Sequence, residues 1–128
     1  KRELIYVAAV RQSTLNVFKR QNNGNLTFIE AIDCKTGVDN IEIDAAGDIW
    51  IGCHPNAIVA NEFIKGNRET APSEIIRISY RDKGDYDIET VYLNDGTEMS
   101  ASTVSANYKD LMLLGNVCDD HFVILRRE

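Results

Sequence analysis

Few residues of this 128-residue chain are typed and spaced for chemistry. Asp39 and Asn40 stand side by side ahead of Ile41-Glu42-Ile43, offering a carboxylate and an amide oxygen. Hard divalent cations take six to eight such oxygens, whereas an isolated Asp-Asn pair ordinarily forms a turn ahead of a strand. His54, in Gly52-Cys53-His54-Pro55-Asn56, could orient a substrate or assist a general base near neutral pH. A hydrogen-bonded structural histidine at a strand end is an equal reading. His121 reads as a surface residue. The cysteines, Cys34, Cys53 and Cys118, are odd in number and show no C-x-x-C spacing, which argues against a zinc ribbon or a thioredoxin-type redox motif. Cys34 and Cys53 read as buried free thiols acting as small hydrophobes. Asn25-Leu26-Thr27 is an N-x-T sequon in a turn, an acceptor for glycosylation.

The composition surrounding these groups narrows the function classes. With 14 basic and 20 acidic side chains the net charge is −6, and 44% of residues are hydrophobic. Basic residues are scattered, adjacent only as the pairs Lys1-Arg2, Lys19-Arg20 and, at the tail, Arg126-Arg127. A nucleic-acid partner needs a basic stripe and is not expected. The longest apolar runs, such as Leu4 to Val10, fall far short of the ~18 residues of a membrane span. No charged-then-apolar leader opens the chain, which starts Lys-Arg-Glu.

Strands must position the chemistry, because no segment sustains a 3.6-residue period. Leu4 to Ala8 reads as a buried strand, Thr14 to Phe18 alternates, and Leu26 to Ile32 returns after a Gln21–Asn25 turn. Ile41 to Asp44 and Ile49 to Gly52 form a hairpin about Ala45-Ala46-Gly47-Asp48. Asn61 to Pro72 is polar and expected as a surface loop. Ile75 to Tyr80 and Ile88 to Leu93 follow, then Thr103 to Ala106, Leu111 to Leu114 and Phe122 to Leu125. The class is all-β.

One shape recurs along this series. Glu3-Leu-Ile-Tyr-Val-Ala8, Asp48-Ile-Trp-Ile-Gly52 and Asp110-Leu-Met-Leu-Leu-Gly115 each pair an acid with an apolar run and a small residue. Alternating strands, Ile41–Asp44 and Val104–Asn107, precede the second and third copies. Repeats of this size, each supplying about four strands, are the signature of propeller blades. The first copy lacks its leading strand, so Lys1 is expected to fall inside a strand, in mid-blade.

Val38-Asp39-Asn40-Ile41 and Gly47-Asp48-Ile49-Trp50-Ile51-Gly52-Cys53-His54-Pro55-Asn56 resemble the V-D-N-I and G-D-x-W-x-G-C-H-P-N segments of paraoxonases, calcium-dependent arylesterase/lactonases. Ser73-Glu74-Ile75-Ile76-Arg77-Ile78 is similar to that family's S-E-x-x-R-I, and Gly96-Thr97, Ser102-Thr103-Val104, Tyr108-Lys109 and Leu113-Leu114-Gly115 recur in its order. The similarity runs through nearly the whole chain. It implies a partial β-propeller: about two to three four-stranded antiparallel blades of a six-bladed propeller, with residues 1–128 forming the C-terminal part of one such domain.

The resemblance further implies that Asp39 and Asn40 are ligands of a catalytic calcium. The remaining ligands, one Glu and two Asn, and the family's proposed catalytic histidine pair lie upstream of Lys1. His54 matches a histidine at the active-site mouth, and Val10 and Val117 fall where the family has apolar pocket-lining residues. The implied substrate is a small aryl ester or lactone, attacked by an activated water at a metal-polarised carbonyl. A lipid or membrane surface, reached through the family's N-terminal region, is a further implied partner. The fragment alone is expected to be inactive. Asn25 lies where the family is glycosylated, favouring an extracellular, secreted protein. The family's bridging cysteine near the C-terminus is matched by Ile124, so that disulfide is expected to be absent, with Cys118 six residues earlier. A non-catalytic propeller module for binding or scaffolding, or a gluconolactonase-like propeller, are the rival readings.

Overall fold

The computed structural model describes residues 3–128; the expectation that Lys1 falls within a strand lies outside these residues. Among the described residues, ten strands form three antiparallel sheets. The first holds β1 (Leu4–Ala9), β2 (Thr14–Arg20) and β3 (Leu26–Asp33) in that order. The second holds β4 (Gly37–Ile43), β5 (Ile49–His54), β6 (Ser73–Asp82) and β7 (Asp85–Asn94). The third holds β8 (Ser102–Tyr108), β9 (Leu111–Asn116) and β10 (Val123–Arg126). Each is an up-and-down meander, the form of a propeller blade, and the middle one is a complete four-stranded blade.

Period-two alternation explains how the sheets stack. Every residue of β5 is buried. Its Ile49, Ile51 and Cys53 join Leu15, Val17 and Ile32 of the first sheet in one core. Trp50, on the opposite face, joins Met112 and Leu114 of the third sheet in another. Strand β6 divides likewise, Ile76 and Ile78 facing one way and Ile75 the other. A strand buried on both faces must read as a continuous apolar run, which is why Ile49-Trp50-Ile51 carries no polar alternation.

The three recurring acid–apolar–small segments are β1, β5 and β9. Beside β5 and β9 lie β4 and β8, the inner strands that precede them. The small residue of the second copy, Gly52, is required by packing. A Cβ there would collide with the Thr103 and Val104 backbone of β8. At Gly115 a Cβ would lie 2.8 Å from Val104 Cγ1.

Two expectations change. The stretch read as a surface loop from Asn61 to Pro72 begins inside a helix, α1 (Ala57–Ile64). Asn56 caps it, its side-chain oxygen accepting the Val59 N–H at 3.1 Å, and Gly66 at φ +80° follows its end. Eight residues are too few to display a sustained helical period, but the cap and the glycine were available signals. Second, β4 begins at Gly37, so Asp39 and Asn40 lie within the inner strand rather than ahead of it.

Candidate functional site

Strand β4 is irregular where its polar pair sits. Val38 faces Cys53 and Ile41 faces Ile51, so β4 spends one residue more than β5 between these pairs. That extra residue is a β-bulge at Asp39-Asn40, opposite Gly52. Bulges bend a strand and re-aim its side chains, and they concentrate beside active sites. Here adjacent carboxylate and amide side chains project from one inner strand, Asp39 partly exposed and Asn40 exposed.

His54 closes β5 and pairs with Gly37 across the ladder. Its Nε2–H donates to Asp39 Oδ2 at 3.1 Å. The ring is buried, with 8% of its side-chain surface exposed against 31% for Asp39. A carboxylate can only accept, so this bond places a proton on Nε2. Nδ1 is buried and has no hydrogen-bond partner, as is Thr36 Oγ1 on the approach to β4. Gly37 makes the juxtaposition possible: a Cβ there would lie 3.0 Å from the His54 carbonyl oxygen and 3.5 Å from that of Val10.

The strand ends bring the remaining candidates to the same end of the sheets. Counted from the small residue of each repeat, Val10, His54 and Val117 are equivalent positions, two residues beyond Ala8, Gly52 and Gly115. Val10 is half-buried at the turn after β1, with its carbonyl beside Gly37. Val117 follows β9 and is exposed. The sequon residue Asn25 is exposed in the β2–β3 turn, away from the β4 bulge, with its N–H bonded to Asn23 Oδ1 at 3.0 Å. His121 is exposed as expected, its Nε2–H donating to the Glu98 carbonyl at 2.8 Å.

Two buried serines support this end of the molecule. Ser73 Oγ donates to the Met99 carbonyl at 2.6 Å and accepts the Ser102 N–H at 3.0 Å. Ser102 Oγ accepts the Glu74 N–H at 2.9 Å and lies 3.0 Å from the Cys53 carbonyl oxygen. The network ties β5, β6 and β8 together directly behind His54. Ser73 and Ser102 carried no sign of this role in the sequence beyond being hydroxyls within apolar strands.

Burial dominates the electrostatics here. It pushes the Cys53 thiol far above its ordinary range, and the charges of Glu74 and Asp39 push the same way. Cys34 is raised to about 11, again by burial first. Among the described residues no three His, Cys, Asp or Glu side chains converge in a metal-holding cluster. Asp39 Oδ1 and the Asn40 amide oxygen are of the right chemistry for a hard cation, but supply only part of its shell.

The chain matches the family model described as Arylesterase over residues 1–123. It is 33% identical over 114 residues to serum paraoxonase/arylesterase 1 of Homo sapiens, covering 88% of this chain and 32% of that protein. Serum paraoxonase/lactonase 3 of Rattus norvegicus is 36% identical over 115 residues, covering 88% and 32%. Serum paraoxonase/arylesterase 2 of the same organism is 33% identical over 117 residues, covering 91% and 32%. The chain thus spans about a third of the length of these curated relatives. With a matching family model over nearly all its residues and three meandering blades, the chain belongs to the arylesterase family.

Proposed function

We propose that this chain supplies one wall of the active site of a calcium-dependent hydrolase of aryl esters or lactones. The observation that carries the reading is the β4 bulge, which presents Asp39 and Asn40 together while His54 grips one carboxylate oxygen. Asp39 Oδ1 and the Asn40 amide oxygen would hold the ion, with the other ligands coming from outside this chain. Calcium bound there supplies Lewis acidity, polarising a carbonyl and favouring charge on its oxygen. His54 keeps Asp39 oriented through the Nε2–H bond. Val10 and Val117 line the apolar side of the substrate pocket, and the Gly37 and Gly52 backbones hold these groups in register. A sugar chain at Asn25, on the exposed β2–β3 turn, would point away from the site, in keeping with a secreted protein.

The test is calcium-dependent hydrolysis of phenyl acetate and of a simple lactone by the full-length protein. Asp39→Ala is expected to abolish turnover and calcium binding together. Activity left intact in that variant would end the assignment. The 128-residue chain alone, with two oxygen donors, should show no calcium-dependent turnover.

A further inference from the structure

Strand β5 ends on His54, and its ladder with β6 stops one pair earlier, at Cys53 opposite Glu74. The side chain that fills this end comes from a third strand. Ser102, the first residue of β8, is fully buried there. Strand β8 comes this close because Gly52 carries no Cβ to collide with the Thr103 and Val104 backbone.

The Ser102 hydroxyl meets three main-chain groups. Its oxygen accepts the Glu74 N–H at 2.9 Å. Its one proton can go to the Cys53 carbonyl at 3.0 Å or to the Glu74 carbonyl at 3.1 Å. The residue is itself held from behind, its N–H donating to Ser73 Oγ at 3.0 Å while Ser73 Oγ donates to the Met99 carbonyl at 2.6 Å. Burial alone does not distinguish Ser102. Ser105, three positions along β8, is equally buried, and its Oγ has no partner.

The Cys53 carbonyl belongs to the peptide that joins Cys53 to His54. A peptide is planar, so a bond to its oxygen also sets the direction of the His54 N–H and the point from which the imidazole departs. That ring then reaches Asp39 Oδ2 at 3.1 Å. Hydrogen bonds weaken steeply as their angle opens, so a tilt of this one peptide is felt at the carboxylate.

We propose that Ser102 is a positioning residue of the candidate site, aligning the Cys53–His54 peptide and through it the His54–Asp39 bond. Its consequence for catalysis rests on the reading of the β4 bulge as a calcium-holding wall; the alignment itself does not.

The test compares four variants of the full-length protein by calcium dependence, by kcat and KM, and by the His54 Nε2–H proton resonance, which needs no turnover. Ser102→Ala is expected to raise the calcium needed for half-maximal activity about three- to tenfold, the range of one hydrogen bond. It should lower kcat by a like factor with KM little changed, and move the Nε2–H resonance upfield. Ser102→Cys, a weaker donor, should show the same changes in smaller measure, and decides the matter should the alanine variant not fold. Ser105→Ala, with no bond to lose, should leave all three readouts at wild type. Ser73→Ala loses the bond to Met99 but keeps the hydroxyl at Cys53, so it should lower the urea midpoint while holding calcium dependence within about twofold of wild type. Wild-type calcium dependence and an unmoved resonance in both Ser102 variants would overturn the proposal. So would equal functional shifts in Ser73→Ala, which would make the effect one of stability. A wild-type protein without calcium-dependent turnover would instead end the hydrolase reading, and the resonance would still decide whether Ser102 aligns His54.

Discussion

His54 and Asp39, fifteen residues apart in sequence, meet through one hydrogen bond from Nε2 to Oδ2 at 3.1 Å, across the β4–β5 ladder at its bulge. The bond occupies one carboxylate oxygen and leaves the other free. Groups that orient a ligating carboxylate commonly carry about 10–100-fold of metal affinity or activity. His54→Ala in the full-length protein is therefore expected to lower turnover by about that factor and to raise the calcium needed for half-maximal activity. His54→Gln, whose amide N–H can still reach Asp39, should recover part of both. Equal calcium dependence in wild type and His54→Ala would remove the positioning role.

Gly52 is the point where two blades touch backbone to backbone. A methyl group added there meets the Thr103 carbonyl and the Val104 nitrogen, neither of which can swing away as a side chain would. Gly52→Ala should cost about 3 kcal/mol or prevent folding, since overpacking against main chain is not relieved by rotamer change. Gly84→Ala serves as the control: its φ of +72° strains an alanine, but nothing lies within 4 Å of the added carbon. It should cost about 1 kcal/mol. Urea midpoints of the two variants give the comparison, and similar shifts for both would refute the close-approach argument.

The sequence made the strands legible because alternation survives in most of them, and it made the blades legible because β1, β5 and β9 repeat one pattern. What it concealed has specific causes. The bulge removes alternation exactly where Asp39 and Asn40 sit, so β4 looked as though it began at Ile41. Helix α1 is too short for its period to accumulate, although Asn56 and Gly66 bracket it. Ser73 and Ser102 look like ordinary strand hydroxyls until β6 and β8 are seen to run side by side. The stacking of Arg127 on Trp50 joins the tail to the middle of the chain, and no local pattern encodes such a contact.

Asp44 anchors the β4–β5 turn by three hydrogen bonds, one of them from the buried Trp50 indole. Burial alone would raise its carboxyl, but the donors on Trp50, Asp48, Gly47 and Ala46 together outweigh it and hold the carboxyl below its ordinary value. A depressed carboxyl contributes stability above its unfolded value, near pH 3.8, and loses it as pH falls through the folded one. Asp44→Ala should cost about 1–3 kcal/mol at neutral pH, chiefly from the orphaned indole N–H. The gap between wild type and variant should narrow on acidification below about pH 4. A gap that persists unchanged to low pH would show that packing, not the carboxylate, is responsible.

His121 gives the opposite sign. Its value is raised above the ordinary 6.5, first by the Glu98 carbonyl, then by Asp120, with Asp119 contributing charge. Both ring nitrogens have acceptors, at 2.8 Å and 3.2 Å, so the doubly protonated ring satisfies both. The stabilisation is complete below pH 6.5 and disappears as pH rises through the raised value. The loop it fastens is also held by Ser100 N–H donating to Asp119 and by Asn116 donating to the His121 carbonyl. Amide exchange in residues 117–122, corrected for its intrinsic pH dependence, should therefore accelerate from acid toward alkaline conditions. His121→Gln should flatten that profile, and a flat wild-type profile would refute the latch.

The three cysteines differ in a way that labelling can read directly. Cys34 and Cys53 are buried free thiols whose Sγ atoms lie 3.5 Å from the Ile32 and Ile51 carbonyl oxygens. Burial raises both, Cys34 to about 11, so neither presents thiolate at neutral pH. Cys118 is exposed beyond the end of β9. Since thiolate fraction and access together govern alkylation, iodoacetamide at about pH 8 should add one group per native chain, on Cys118. Unfolding in guanidinium should raise the count to three, and Cys118→Ser should leave the native chain unlabelled. Native modification of Cys53 at a rate comparable with Cys118 would mean that the β5 end opens readily, contradicting the packing of Gly52 against β8 and the serine network behind His54.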